Sequence, residues 1–399
     1  MSVNATTHNQ SVSKKTERFI AVLALVTIVA AWIVGSASSH FDLEPTLSQV
    51  MPQAERFEKL DDQTYAAYVG QPSETLIGYV ATGEANGFSG PLTIAVAVGL
   101  QGEVLALEVV DQRETPAWFK RVKASRFIED MVGKSYADSF QINEDLDAVT
   151  GATFTTRAIA ESVLRGSRQV AASQLGFETP PETAPRIIFE LREGLLLLLF
   201  ALGLLAHRRG FRYGKQVRRF SLLVGLVAVG FLYNSPLSLA YINKFLLGFW
   251  PAWQTHLYWY LLIGGTLSIF IISNRNPYCH WFCPFGAVQE CAGAVGAKKA
   301  LTAGRYLRSL QWLTRIIVWV AIIIALLFRS PGLTGYEVFD SMFTGQGSSL
   351  QYILLGIVLL AALVVRLPWC TYFCPVTPVM DFFRIFRSWA KESLGTKKT

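Results

Sequence analysis

Two groups of residues have the types and spacing for chemistry. The first is DAVTGAT, Asp147 to Thr153. Thr150, Gly151 and Ala152 leave the backbone open to an incoming group, Thr153 offers a hydroxyl, and the helical pattern that follows supplies free N–H donors and the positive end of a dipole to a phosphate. The bland alternative is a helix start in which Thr150 is simply a cap. The second group is a pair of C-x3-C-P motifs, Cys279 with Cys283 and Cys370 with Cys374. Each pair lies one turn apart on a common face if the segment is helical. Four soft thiolates satisfy an Fe–S cluster or a tetrahedral metal, whereas buried packing cysteines or a reversible dithiol are the alternatives. Cys291 has no counterpart and reads as an ordinary buried thiol.

The elements that must position these residues fall into two halves. NPYCHWFCPFGAV at 276–288 and LPWCTYFCPVTPV at 367–379 are copies of one pattern, each just after an apolar run, so the second half holds an internal repeat. In the first half, β-branched runs between Leu76 and Val110 alternate with turns at Gly87, Gly90 and Gly102, which predicts strands. A helix is expected through Trp118, Val122, Phe127 and Met131, and a second from Thr155 to Gln174 through Ile159, Val163 and Val170. TPPETAP at 179–185 reads as a linker.

The 399-residue chain is 51% hydrophobic and 16% charged, too apolar for an ordinary soluble protein. Apolar runs near 19–39, 187–206, 220–241, 256–273, 311–329 and 350–366 predict six membrane spans. The first reads as a retained anchor, being longer than a signal-peptide core. Lys and Arg gather at 207–219, 274–310 and beyond Arg366, which places both termini in the cytoplasm and the long first-half segment in a periplasm. The net charge of +7 follows from that bias and calls for no nucleic acid. No cysteine lies in the segment expected outside, where oxidation would pair it. The expected fold class is thus an α-helical transmembrane bundle of about six spans carrying an inserted extracytoplasmic α+β domain. Its boundaries are a tail at 1–18, an anchor at 19–39, the α+β domain at 42–180, a helical domain at 187–390 and a second tail at 391–399.

The motif D-x-x-[ST]-G-A-T, with GFSG at 87–90 and ETP at 114–116 in order before it, resembles the FMN-binding domain shared by the Nqr and Rnf electron-transport proteins and the NosR family. That resemblance covers about 76–165. It implies that the motif, with Thr150, Gly151 and Ala152, is the recognition site of a flavin transferase, that FMN is esterified through its phosphate to Thr153, that Asp147 positions the transferase's metal–FMN complex or the threonine, and that Glu114 and Thr115 line the isoalloxazine pocket. The repeated C-x3-C-P after an apolar run is similar to the membrane portion of NosR, NapH and PceC-type proteins over about 187–390, closest to the shorter PceC-like form. It implies that Cys279, Cys283, Cys370 and Cys374 ligate a cluster of the 4Fe–4S type.

These expectations describe a bacterial inner-membrane flavoprotein that passes electrons from the quinol pool or a cytoplasmic donor, through the cluster and FMN, to a periplasmic reductase or electron carrier. Glu190, Arg192, Glu193 and His256 are candidate quinone contacts or interfacial anchors, and Trp250, Trp253 and Trp259 suggest an aromatic belt. A redox-sensing regulator or maturation factor is the alternative of another class, and a metal-handling membrane protein a third.

Overall fold

Strands arise where Val, Ile and Thr alternate with small residues between glycine turns, a pattern suited to a pleated surface buried on both faces. The computed structural model describes residues 14–38, 43–70, 73–114, 116–142, 144–147, 149, 153–181, 187, 189–208, 211–274, 276–296, 307–393 and 395. Helix α1 (Lys14–Ala37) and the short α2 (Glu44–Val50) precede five antiparallel strands that pair in chain order: β1 (Arg56–Lys59), β2 (Thr64–Val69), β3 (Thr75–Asn86), β4 (Pro91–Val98) and β5 (Val104–Gln112). The last three are the strands expected from the sequence. β1, with the charged sequence RFEK, carries too little apolar signal to be read as a strand in advance.

Helices α3 (Pro116–Lys123) and α4 (Thr153–Ser173) complete this half. Alternation along β4 organises two cores: Leu92, Ile94, Val96 and Val98 pack towards α4, while Ala95 and Ala97 pack towards Leu47 and Val50 of α2. Ile159, Val163 and Val170 of α4 are fully buried, as their spacing implies. The helix expected through Met131 is broken after Lys123 and ends in a 3₁₀ turn at Glu129–Met131, although Val122, Phe127 and Met131 are buried. The Trp118 side chain and linker residues 182–186 lie outside the described residues. Gly83 is required where sheet and helix meet, since a Cβ there would stand 1.8 Å from the Ser162 carbonyl oxygen.

The second half is helical. α5 (Leu191–His207) is followed by α6 (Gly214–Gly225), which runs into a π-helical stretch at Leu226–Leu232; then come α7 (Leu239–Leu247) and α8 (Leu257–Ser273). The first motif forms α9 (Pro277–Trp281) and α10 (Pro284–Val295), followed by α11 (Leu307–Leu327), α12 (Phe339–Phe343) and α13 (Ser349–Ala362). The second motif forms α14 (Pro368–Tyr372) and opens α15 (Val376–Ser393). Leu199, Phe270, Phe282, Phe285 and Trp369 share one core.

The six-span bundle is not what forms. Among the described residues two helices, α1 and α11, are long and apolar enough to cross a membrane, or three spans result if α8 and the α9–α10 segment, bent by 95°, count as one. The apolar runs are real, but their helices stop early. α5 has 17 residues and α13 has 14, about 25 and 21 Å at 1.5 Å per residue against ~30 Å of hydrocarbon. The run at 220–241 breaks at Asn234-Ser235-Pro236. The multi-pass placement therefore falls too, and with it the sidedness built on six alternating spans: the periplasmic α+β domain and the two cytoplasmic termini. α1 packs along α11, with the Trp319 indole donating to Thr27 Oγ1 at 3.0 Å and Gly35 against the Leu326 carbonyl.

Candidate cofactor sites

At the α+β site, α4 begins at Thr153, where the motif placed a helix start. Asp147 is exposed in the preceding loop. Thr115, Thr150, Gly151 and Ala152 lie outside the described residues, as does the side chain of Thr153. Glu114 is 3% exposed. Its carboxylate accepts from the Ser89 N–H at 3.0 Å and from the Thr155 hydroxyl at 2.6 Å, tying the GFSG turn to the first turn of α4. Burial pushes the Glu114 carboxyl up from its ordinary value, opposed by these hydrogen bonds and by Lys244. The turn itself closes through the Gly87 N–H donating to the Gly90 carbonyl at 2.8 Å, and a Cβ on Gly87 would fall 2.2 Å from Glu114 Oε1.

Lys244 of α7 reaches into the same turn. Its ammonium donates to the Gly87 carbonyl at 2.8 Å and the Phe88 carbonyl at 2.7 Å. Burial lowers its pKa to about 8, with Glu114 acting in the opposite direction. Nearby, Arg113 donates to the Arg329 carbonyl at 2.6 Å, and both guanidiniums lie over the Phe249 ring. The two halves thus meet through polar side chains with fixed partners. Lys244 carried no sequence signal beyond being one basic residue in an apolar stretch.

Of the residues weighed as quinone contacts, Glu190 and Glu193 form the capping box of α5, and Arg192 bonds Glu193 at 2.8 Å. Arg192 and His256 instead line one cleft between the halves. Trp250 and Trp253 are exposed, as a belt requires, but Trp259 is buried against Tyr241 and Tyr260.

At the cysteine site the helix does not continue through either motif. Cys279 lies in α9, whereas Cys283 caps α10 and accepts from the Gly286 N–H at 3.4 Å. Pro284 and Pro368 open helices, as a residue without an N–H does at a first turn. The Asn276 amide donates to Cys279 Sγ at 3.1 Å. Gln289, 1% exposed, links the repeats: it donates to Cys370 Sγ at 3.3 Å and accepts from the Trp369 N–H at 2.9 Å. Cys279 lies within electrostatic reach of Cys283, Cys370 and Cys374. Cys291, expected to be buried, is exposed on α10.

Among the described residues no three or more His, Cys, Asp or Glu side chains are arranged to hold a metal ion. The donor chemistry nonetheless fits an iron–sulfur cluster: four thiols lie within electrostatic reach of one another and three receive N–H···S bonds. A cluster several atoms across also separates its thiolates more than a single tetrahedral ion with bonds of ~2.3 Å.

Comparison with known proteins agrees with both constellations. Residues 87–166 match the model of the FMN-binding domain, and residues 255–301 and 351–391 match that of the 4Fe-4S binding domain. The chain is 28% identical over 198 residues to the protein NirI of Paracoccus denitrificans, a match covering 46% of this chain and 28% of that protein's length. It is 28% identical over 131 residues to a component of the proton-translocating ferredoxin:NAD(+) oxidoreductase complex of Clostridium ljungdahlii, covering 31% of this chain and 70% of the relative. With the like-named component of the ion-translocating oxidoreductase complex of Pseudomonas aeruginosa, identity is 30% over 157 residues, covering 36% of this chain and 72% of the relative. The likeness is to proteins of the Rnf, Nqr and NirI kind and is not specific to the NosR or PceC form. The chain belongs to the family of FMN-binding components of ion-translocating oxidoreductase complexes, joined here to a 4Fe-4S binding domain in a membrane-associated electron-transfer protein.

Proposed function

We propose that this chain relays reducing equivalents from a quinol or a soluble donor to a partner reductase, holding FMN as a phosphate ester on Thr153 and a 4Fe–4S cluster on Cys279, Cys283, Cys370 and Cys374. One coincidence carries the reading. The FMN-binding match contains the whole Asp147–Thr153 motif, and each part of the 4Fe-4S match contains one C-x3-C-P. When bound, FMN supplies one- and two-electron chemistry and the cluster one-electron chemistry.

The chain's own residues bind and orient. Thr153 tethers at the start of α4, where the positive end of the helix dipole favours a phosphate. Asp147, exposed six positions earlier in the chain, is accessible to a flavin transferase. Glu114 holds the first turn of α4 against GFSG through Thr155 and Ser89. Asn276, Gly286 and Gln289 direct N–H groups at three sulfurs, which stabilises thiolate charge.

The test is reduction by a lipid-soluble quinol in nanodiscs. The wild type should lose its flavin absorbance on quinol addition, and Cys279→Ser should lose iron and this response together. A wild type whose flavin is bleached by dithionite but never by quinol would remove the quinol from the account.

A further inference from the structure

The GFSG turn, the first turn of α4 and helices α5, α7 and α8 line one cleft. The α+β half contributes Phe88 and Phe154, and the helical half contributes Tyr241, Lys244, His256 and Trp259. Phe154, which lines this cleft, directly follows Thr153 in the chain.

Three further observations bear on what enters it. The walls are aromatic: Phe154 lies 5.4 Å from the His256 ring, Phe88 lies 5.8 Å from Tyr241, and Tyr241 lies 6.4 Å from Trp259, measured between centroids. Trp259 is 6% exposed, yet its indole N–H meets no acceptor among the described residues. A buried donor of that kind normally has a partner. Arg192 in the cleft wall is paired with Glu190 and Glu193, whereas Lys244 brings a cation held in place by the Gly87 and Phe88 carbonyls. A flat aromatic ring with carbonyl acceptors on its edge, gaining negative charge on reduction, meets all three conditions.

We infer that this cleft receives the isoalloxazine ring of the FMN tethered at Thr153, so that the flavin site is completed by the helical half, with Lys244 as a positioning residue that favours the reduced ring. The inference rests on the proposed ester at Thr153 and extends it. The FMN-binding match covers residues 87–166 and includes none of α7 or α8.

The experiment uses the full chain, flavinylated in cells and held in nanodiscs, as wild type, Trp259→Phe, Lys244→Met and Lys244→Arg. Covalent flavin is counted by fluorescence in a denaturing gel, after which native flavin fluorescence and midpoint potential are read. All four should carry equal flavin. Trp259→Phe should brighten native fluorescence, because a nearby indole quenches flavin emission. Lys244→Met should lower the ratio of reduced to oxidised flavin at fixed potential about tenfold, ~30 mV for a two-electron couple, and Lys244→Arg should keep the wild-type value.

Equal loading with fluorescence unchanged in Trp259→Phe and potential unchanged in Lys244→Met would place the ring elsewhere and overturn the inference. A change in fluorescence alone would uphold the ring's place and overturn the part given to Lys244. If Lys244→Met does not fold, the Trp259→Phe fluorescence decides. A wild type without covalent flavin would fell the ester reading, and this inference with it, a result distinct from equal loading without a spectroscopic response.

Discussion

Lys244 is a buried cation with two carbonyl acceptors and a carboxylate, Glu114, facing it. Across the cleft stand His256, whose pKa burial and then the Lys244 charge lower to about 4, and Arg192. Because burial lowers the Lys244 pKa from 10.5 to about 8, the unfolded chain keeps a proton between those values that the folded chain has released. Stability therefore rises with pH across that window, the sign expected when the unfolded state binds more protons. Lys244→Met lacks this contribution. The stability of wild type relative to Lys244→Met should increase by about 2 kcal/mol between roughly pH 8 and pH 10, read as the change in the difference of thermal midpoints. A constant or shrinking difference would show that Lys244 stays charged throughout. Glu114 was legible as a site residue through its place before Thr115 and Pro116. Lys244 was not, since its role depends on a contact more than 150 positions away in the chain.

At the scale of elements, the repeat was legible because proline, aromatic and cysteine positions recur in register, and it appears as α9–α10 and α14–α15. The break within each motif was less legible. C-x3-C suggests one helical face, yet the chain turns at Phe282 and at Phe373, so each second cysteine begins a new segment. Gln289 was missed altogether, because a lone Gln in an apolar helix has no motif; its meaning comes from the other repeat. Replacing Gln289 with Leu leaves the Trp369 N–H and Cys370 sulfur without its side chain, at a cost of about 1–3 kcal/mol. Iron per protein should fall while covalent flavin stays constant, as measured by paired metal and flavin analysis. Unchanged iron and thermal midpoint would show that this bond does not hold the motifs together.

For the whole molecule, composition showed membrane association correctly and the number of crossings incorrectly. Apolar content is a local property, whereas a span needs uninterrupted helix. Asn234, Ser235 and Pro236, the bend before Pro277 and the shortness of α13 interrupt it. The α+β half was legible from β3 onward, but its docking on the helical half through Lys244, Arg113 and Phe249 was not. The central claim is that a flavin is bonded to the chain at one hydroxyl, that of Thr153. Fluorescence of the denatured protein in a gel tests this most directly, with wild type and Thr153→Val co-expressed with a flavin transferase. The account predicts a fluorescent band for wild type and none for Thr153→Val at equal protein. An equally bright Thr153→Val band would contradict it.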